Sequence, residues 1–230
     1  MALGLDPRFT QFGCGLCAPS RWLNFDASPA MRLQRLPLVG NLVPSGEFGR
    51  YPSNVQYGDI VKGLPIADSS VELLYCSHVL EHITLEELRM ALKNCYRHLQ
   101  IGGIFRLVLP DLEIMAKNYI NVSEPDAAHE FMRLTYLGKE TRKRDLISFI
   151  KDWLSGNNHL WMYDYNSLST ELQTAGFKNI RRAKFGDSNI ELFNDVEDSD
   201  QSYWNKWYLV VLLFLIAQII IFYVITVTFK

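Results

Sequence analysis

The sequence lacks an excess of basic residues. Its 230 residues include 23 lysines and arginines against 25 acidic residues, a net charge of −2. No basic patch of the kind that contacts nucleic acid is present, so we expect no nucleic-acid partner. Internal repeats and low-complexity segments are also absent. The opening residues, MALGLDPRFTQF, do not combine a basic stretch with a long apolar region, so we expect no signal peptide.

Cysteine is scarce as well, with four residues in the chain. Cys14 and Cys17 form a single CxxC pair. A structural zinc site built on such a pair normally needs a second pair, or histidines at matching spacing, and neither is evident in the sequence. We therefore predict no bound metal ion.

One long apolar run is present, over residues 207–229: WYLVVLLFLIAQIIIFYVITVTF. It carries no charge, and roughly 20 apolar residues suffice to cross a bilayer as a helix. The alternative is a core strand that runs on. We predict a transmembrane helix over 207–229, preceded by an acidic, solvated linker over 191–206. The expected arrangement is a single-pass C-terminal membrane anchor with the preceding domain in the cytoplasm.

Residues 1–190 alternate between short apolar runs and helical stretches, which is typical of an α/β domain with a mostly parallel sheet. A capping box, Thr84 with Glu87, predicts the start of the clearest helix. Residues 111–160 form a polar, helix-rich insertion, either a substrate lid or a packing helix pair. Six strands are predicted: Arg8–Phe12, Trp22–Asp26, Val55–Ile60, Val71–Ser77, Ile104–Leu109 and Asn179–Phe185.

The first two predicted strands are unusually close in sequence. Only six residues separate Gly15 from Trp22, whereas a parallel crossover normally needs about a dozen residues and usually a helix. Either a short loop replaces the first helix or one of the strands is misassigned.

A glycine turn, Gly13-Cys14-Gly15, follows the first predicted strand, and Asp26 ends the second. Ligands of doubly wound sheets bind outside the carboxyl ends of the strands. Glycines there let the backbone approach a ligand, while a carboxylate on the next strand accepts hydrogen bonds from ribose hydroxyls. Asp59, at the end of the third predicted strand, is a candidate contact for an adenine. A dinucleotide site is less favoured, because the third glycine of GxGxxG is missing.

Four segments of the chain together resemble the type-11 class I methyltransferases that depend on S-adenosylmethionine. These segments are FGCG, WLNFDAS, GDIVKGLPIADSSVELLYCSHVLEHI and IGGIFRLVLPDLE. The resemblance covers about residues 9–187 and implies a Rossmann-like fold with S-adenosylmethionine as cofactor. It also implies site residues, namely the Gly13-Cys14-Gly15 turn for the methionine part, Asp26 for the ribose, Asp59 and Ile60 for the adenine, and Ser77 with His78 beside the methyl group.

The expected function is therefore methyl transfer from S-adenosylmethionine. His78 is the first candidate general base because the pKa of histidine lies near working pH, and Asp111 is the second. His159, Trp161 and Tyr163 are candidates to line the acceptor pocket. The predicted anchor suggests a small-molecule or lipid-like acceptor at the membrane.

Two alternatives from other functional classes remain open. Gln11 stands where many family members carry an acid, and Cys17 replaces a third glycine, which would suit a degenerate, membrane-bound interaction module. Separately, His78-Val-Leu-Glu81-His82 matches the HxxEH motif of some zinc peptidases. That motif requires a helix, whereas His78 directly follows a predicted strand, and the sequence does not mark a third zinc ligand.

Overall fold

A computed structural model describes residues 8–37, 40, 49–140 and 158–197 of the chain. The chain divides into two compact units, residues 1–182 and residues 183–230. In the second unit, residues 192–197 are helical, within the segment predicted as a linker. The predicted transmembrane helix at 207–229 lies outside the described residues. Within the described ranges, no helix has the length and apolar character needed to cross a membrane.

The described residues of the first unit contain five strands in one sheet, all paired in parallel. Their order across the sheet is β3-β2-β1-β4-β5. The strands are β1 Phe9–Phe12, β2 Leu23–Asp26, β3 Val55–Tyr57, β4 Val71–Ser77 and β5 Leu99–Val108. The chain builds outward from β1 to β3 and then crosses to β4 on the other side of β1. The topological switch point, where doubly wound sheets bind ligands, thus lies between β1 and β4.

Five α-helices accompany the sheet in the described part of this unit. They are α1 Pro29–Gln34, α2 Leu85–His98, α3 Leu112–Asn121, α4 Ala127–Leu134 and α5 Tyr165–Ala175. The predicted capping box of α2 is confirmed, since the Thr84 side chain accepts from the Glu87 amide and the Glu87 side chain accepts from the Thr84 amide. Two of these helices, α3 and α4, lie within the predicted insertion, residues 111–160, of which residues 141–157 lie outside the described ranges.

The core lies where α2 covers the sheet. Leu88, Ala91, Leu92 and Cys95 project from one face of α2 and are fully buried. They pack in one cluster with β4 residues such as Leu74 and Cys76. Spacings of three and four residues place these α2 side chains on one stripe of the helix, which is why the period seen in the sequence predicts a buried face.

The short first crossover is real. β1 and β2 pair in parallel with Gln11 opposite Asn24, although residues 13–22 between them contain only turns, bends and irregular backbone. A loop has therefore replaced the usual helix. The chain stays beside β2 just after β1 ends, because Cys14 N–H donates to the Phe25 carbonyl at 3.1 Å.

The sixth predicted strand, Asn179–Phe185, is wrong. These residues are irregular and pair with no described strand. Asn179 has φ +57°, in the left-handed region, which is incompatible with an extended start. The predicted third strand is also shorter than expected, ending at Tyr57 rather than Ile60.

Candidate active site

The turn after β1 lies at the switch point and is built around two left-handed glycines. Gly13 has φ +65° and Gly15 has φ +53°, a conformation that glycine adopts without steric cost. A Cβ on Gly13 would lie 2.0 Å from Cγ2 of Val79, in the segment that follows β4. A Cβ on Gly15 would meet no atom within 4 Å. The turn therefore packs tightly against the β4 side at Gly13 and is open at Gly15, where backbone is accessible to a ligand.

Asp26, at the end of β2, anchors this turn. Its Oδ2 accepts from the Gly15 amide at 3.0 Å and its Oδ1 accepts from the Ser28 amide at 2.8 Å, with the residue 5% exposed. The structure thus brings the predicted glycine turn and this carboxylate into direct contact. Each carboxylate oxygen can accept more than one hydrogen bond, so Asp26 keeps acceptor capacity for a ligand hydroxyl.

The carboxylate also influences its neighbours. Burial raises the pKa of the Cys14 thiol, and the charge of Asp26 raises it further, so this thiol is protonated at neutral pH. Burial, with Asp26 again adding to it, raises the pKa of the Tyr51 phenol to about 12. The Tyr51 hydroxyl lies 2.8 Å from Ser28 Oγ. Tyr51 is a neighbour of the site that sequence patterns did not indicate, because it follows a stretch of chain with no periodicity.

Gln11 and Asn24 hold the helix-free crossover in place. Both are buried, and Gln11 Nε2 donates to the Cys17 carbonyl at 2.7 Å and to Asn24 Oδ1 at 2.6 Å. Asn24 Nδ2 donates in turn to the carbonyls of Pro19 and Trp22, at 3.1 and 2.8 Å. These bonds satisfy loop carbonyls that a helix would otherwise satisfy internally. The amide at position 11 is therefore suited to this loop, since a carboxylate could not donate to the Cys17 carbonyl.

The predicted adenine contacts lie just beyond β3. Asp59 sits in a turn, where Oδ1 accepts from the Val61 amide at 3.0 Å and Oδ2 pairs with Lys62 at 3.0 Å. The Ile60 side chain is 5% exposed and belongs to the main hydrophobic cluster. Any contact from Ile60 to a ligand would therefore come from its backbone.

His78 follows Ser77, the last residue of β4, and stands at the tip of the strand with φ +52°. This left-handed backbone turns the chain sharply out of the sheet, and the His78 amide donates to the Val108 carbonyl at 3.0 Å. Its Nδ1 lies 3.2 Å from Oε1 of Glu81, which is 1% exposed, while the His78 side chain is 51% exposed. A buried carboxylate behind a half-exposed imidazole is an arrangement that orients a general base.

In Asp111, the second candidate base, both carboxylate oxygens already have partners. Its Oδ1 accepts from the Glu113 amide at 3.0 Å at the N-terminus of α3, and its Oδ2 pairs with Arg182 at 3.0 Å. The geometry gives this carboxylate a capping and bridging role. Its backbone also pairs with Tyr163 in an isolated bridge, which joins the segment before α5 to the tip of β5.

The three candidates for the acceptor pocket are separated by the fold. Tyr163 is buried at 3% exposure, whereas Trp161 is 47% exposed. His159 lies beside the segment that follows β4, with Nε2 4.0 Å from Glu81 Oε1. Burial lowers the pKa of His159, so the imidazole is neutral at pH 7.

The HxxEH residues do not form the helix turn that the zinc-peptidase motif requires. His78 lies in a bend, and Leu80–His82 is a single 3₁₀ turn that precedes α2. His78 and His82 therefore do not share a helix face. Instead Glu81 and His82 lie together with His159, which comes from a distant part of the chain.

A surface cavity of about 520 Å³ lies at the outer edge of the sheet, lined by residues of α1 and β3 such as Met31 and Val55. None of the predicted site residues lines it. We place the candidate site at the switch point instead, because the left-handed glycines and the Asp26 carboxylate lie there and His78 follows the end of the neighbouring strand β4.

Residues 10–107 match the family model described as a methyltransferase domain. Among solved structures, a phosphoethanolamine N-methyltransferase 2 of Haemonchus contortus in complex with S-adenosyl-L-methionine is 13% identical with a TM-score of 0.40, over 90% of this chain and 41% of its own. An S-adenosylmethionine-dependent methyltransferase from Archaeoglobus fulgidus is 14% identical with a TM-score of 0.39, over 84% of this chain and 77% of its own. The structure titled PigF with SAH is 18% identical with a TM-score of 0.39, over 76% of this chain and 46% of its own.

The chain spans less than half the length of two of these three proteins. No curated protein matches the sequence. Structural similarity of this degree carries no information about substrate, so the assignment rests on the family model and on the segments it covers, from β1 to β5. The resemblance seen in the sequence is confirmed, since residues 10–107 of this chain match the model of a methyltransferase domain.

Proposed function

We propose that the protein is a methyltransferase that uses S-adenosylmethionine, bound at the carboxyl ends of β1, β2 and β4. The observation that carries this proposal is the anchored glycine turn: Gly15, open on its outer face, is held by the buried Asp26 carboxylate at the switch point of the sheet. When bound, the cofactor supplies an activated methyl group on a sulfonium.

The residues present fit this cofactor. The Gly13–Gly15 turn offers backbone without side chains, which suits close approach of a methionine moiety. Asp26 offers acceptor capacity for ribose hydroxyls, and the site needs no helix N-terminus because the cofactor has no phosphate. Asp59 and the Ile60 backbone, in the turn after β3, are the proposed contacts for the adenine. Ser77 and His78, at the end of β4, are the proposed residues beside the methyl group.

The chain's own contribution to the reaction is alignment and proton transfer. His78 is the proposed general base for an oxygen or nitrogen nucleophile, with Glu81 as a positioning residue behind it. Asp111 is less suited to this role because both of its oxygens already have partners.

The acceptor is proposed to be a small molecule or a lipid-like compound at a membrane. This rests on the uncharged apolar run at 207–229, which is long enough for a membrane-spanning helix. Extraction of membranes with alkaline carbonate tests the anchor, because an integral segment keeps the protein in the pellet and a peripheral one releases it.

The cofactor proposal is tested by calorimetric titration of the full chain with S-adenosylmethionine. We expect binding that weakens about 10- to 100-fold in Asp26→Asn, since hydrogen bonds to a charged acceptor contribute about 1.5–3 kcal/mol. Asp68→Asn is the matched control, because that carboxylate is exposed and pairs with Arg97 instead. A folded protein that does not bind the cofactor would reject the enzyme assignment and leave the interaction module as the better account.

A further inference from the structure

Glu81 presents a buried carboxylate oxygen without a hydrogen-bond partner. The residue is 1% exposed, and Oε1 faces His78 Nδ1 at 3.2 Å, whereas Oε2 is buried and accepts no hydrogen bond from any described residue. Buried carboxylates are normally paired, fully hydrogen-bonded or coordinated to a metal, because desolvating the charge is costly. A buried carboxylate with an unsatisfied oxygen is therefore suited to a positively charged ligand.

Two imidazoles lie beside this carboxylate. The rings of His82 and His159 meet edge to face with centroids 4.9 Å apart. One nitrogen of each ring and one oxygen of Glu81 all lie within 4.8 Å of one another. Ligand atoms around a tetrahedral zinc ion are separated by about 3.3 Å, given metal–ligand distances of about 2.0–2.1 Å. Small side-chain rotations are enough to close the triad around one ion.

One nitrogen of each ring is held by the protein. His82 Nδ1 donates to the Asn158 carbonyl at 3.0 Å, and His159 Nδ1 contacts the Met162 sulfur at 3.1 Å. Metal-binding histidines are typically oriented in this way, with one N–H bonded to a protein acceptor and the other nitrogen directed to the metal. On His159, the nitrogen that faces Glu81 is Nε2.

Backbone hydrogen bonds hold the two chain segments together. The amides of Leu160 and Trp161 donate to the Glu81 carbonyl at 2.7 and 3.3 Å. These bonds connect the residues around His159 to the 3₁₀ turn that carries Glu81 and His82. The three side chains are thus brought together by the backbone and do not depend on the presence of an ion.

We propose that Glu81, His82 and His159 bind one divalent first-row transition cation, with zinc as the representative ion. Two imidazoles and one carboxylate suit such cations, whereas magnesium and calcium prefer oxygen ligands alone. Three protein ligands leave coordination positions open for water or for an oxygen of a second molecule. The triad adjoins the proposed methyl-transfer site, because Glu81 Oε1 also lies 3.2 Å from His78 Nδ1. Binding of the ion itself requires neither the cofactor nor methyl transfer.

Zinc uptake by the full chain tests this proposal without cofactor or acceptor. Protein freed of metal by chelation is titrated with Zn²⁺ calorimetrically, and the bound ion is counted by mass spectrometry. We expect about one ion per chain and at least a tenfold weaker affinity in both Glu81→Gln and His82→Ala, given that even the loss of an orienting partner costs about 10- to 100-fold. His82→Ala alters a partly exposed side chain, so it decides the matter if Glu81→Gln does not fold.

Two control variants separate this triad from other zinc ligands. His129→Ala removes an exposed imidazole on α4 and should leave the affinity unchanged. Cys17→Ser removes one thiol of the CxxC pair and should also leave it unchanged. The proposal is overturned if the full chain binds no zinc, if both triad variants bind as tightly as the parent, or if Cys17→Ser abolishes binding. Cofactor titration of the same preparations reports separately on the proposed methyltransferase function.

Discussion

Substituting Gly13 by alanine should destabilise the protein more than the same change two residues later. Both glycines have left-handed backbones, at φ +65° and +53°, so each alanine meets a conformational cost of about 1–2 kcal/mol. Only at Gly13 does the new methyl group also collide with Val79, whose Cγ2 would lie 2.0 Å from it. Overpacking of this kind adds about 1–3 kcal/mol. We therefore expect a loss of about 2–5 kcal/mol for Gly13→Ala against about 1–2 kcal/mol for Gly15→Ala.

Equilibrium unfolding in urea, followed by circular dichroism of the full chain, measures both values. Val79→Ala supplies the test of cause, because it removes Cγ2 while leaving Cβ at 3.2 Å from the added methyl group. The double variant Gly13→Ala/Val79→Ala should lose less free energy of unfolding than the two single variants lose together, by about 1–3 kcal/mol. Equal losses for the two glycines, or strictly additive losses in the double variant, would refute the close contact between the turn and the segment after β4.

Two further substitutions test the buried polar groups. Gln11→Glu should lower the free energy of unfolding by about 2–4 kcal/mol at pH 7, because the carbonyl of Cys17 and Oδ1 of Asn24 both lose their donor, and by less at pH 5, where a protonated acid donates again. An unchanged urea midpoint at pH 7 would contradict this. For His98, burial lowers the pKa below its ordinary 6.5. Its Nε2 accepts from the Leu64 amide. Below about pH 6.5 the unfolded chain thus binds more protons than the folded one, so stability falls as the pH falls. In urea titrations between pH 7.5 and 5, His98→Gln should reduce the dependence of the free energy of unfolding on pH. An identical dependence in both proteins would show that His98 is not its cause.

The sequence by itself determined the elements whose signals are local. The apolar run at Val71–Ser77 predicts β4 with the bounds that the structure has, and Thr84 with Glu87 predicts the start of α2. The glycine turn and Asp26 were also predictable as a pair, because parallel strands bring their carboxyl ends to one edge. Each of these signals depends on residues within a few positions of one another, or on a general rule of sheet topology.

Other features were decided only by tertiary packing. Asn179–Phe185 reads as a strand from composition, yet a strand exists only where a partner offers its backbone, and no described strand does so. Gln11 reads as a departure from the family pattern until its contacts with Cys17 and Asn24 show which loop carbonyls it satisfies.

The triad shows the same limit most clearly. Glu81 and His82 were noticed in the sequence, but with His78 as their partner on a presumed helix. The left-handed backbone of His78 and the 3₁₀ turn after it remove that helix face. His159, more than seventy positions along the chain, takes the place beside them because backbone amides of its segment bind the Glu81 carbonyl. Sequence spacing encodes neighbours along a helix or strand, whereas contacts between distant segments depend on how the whole domain packs.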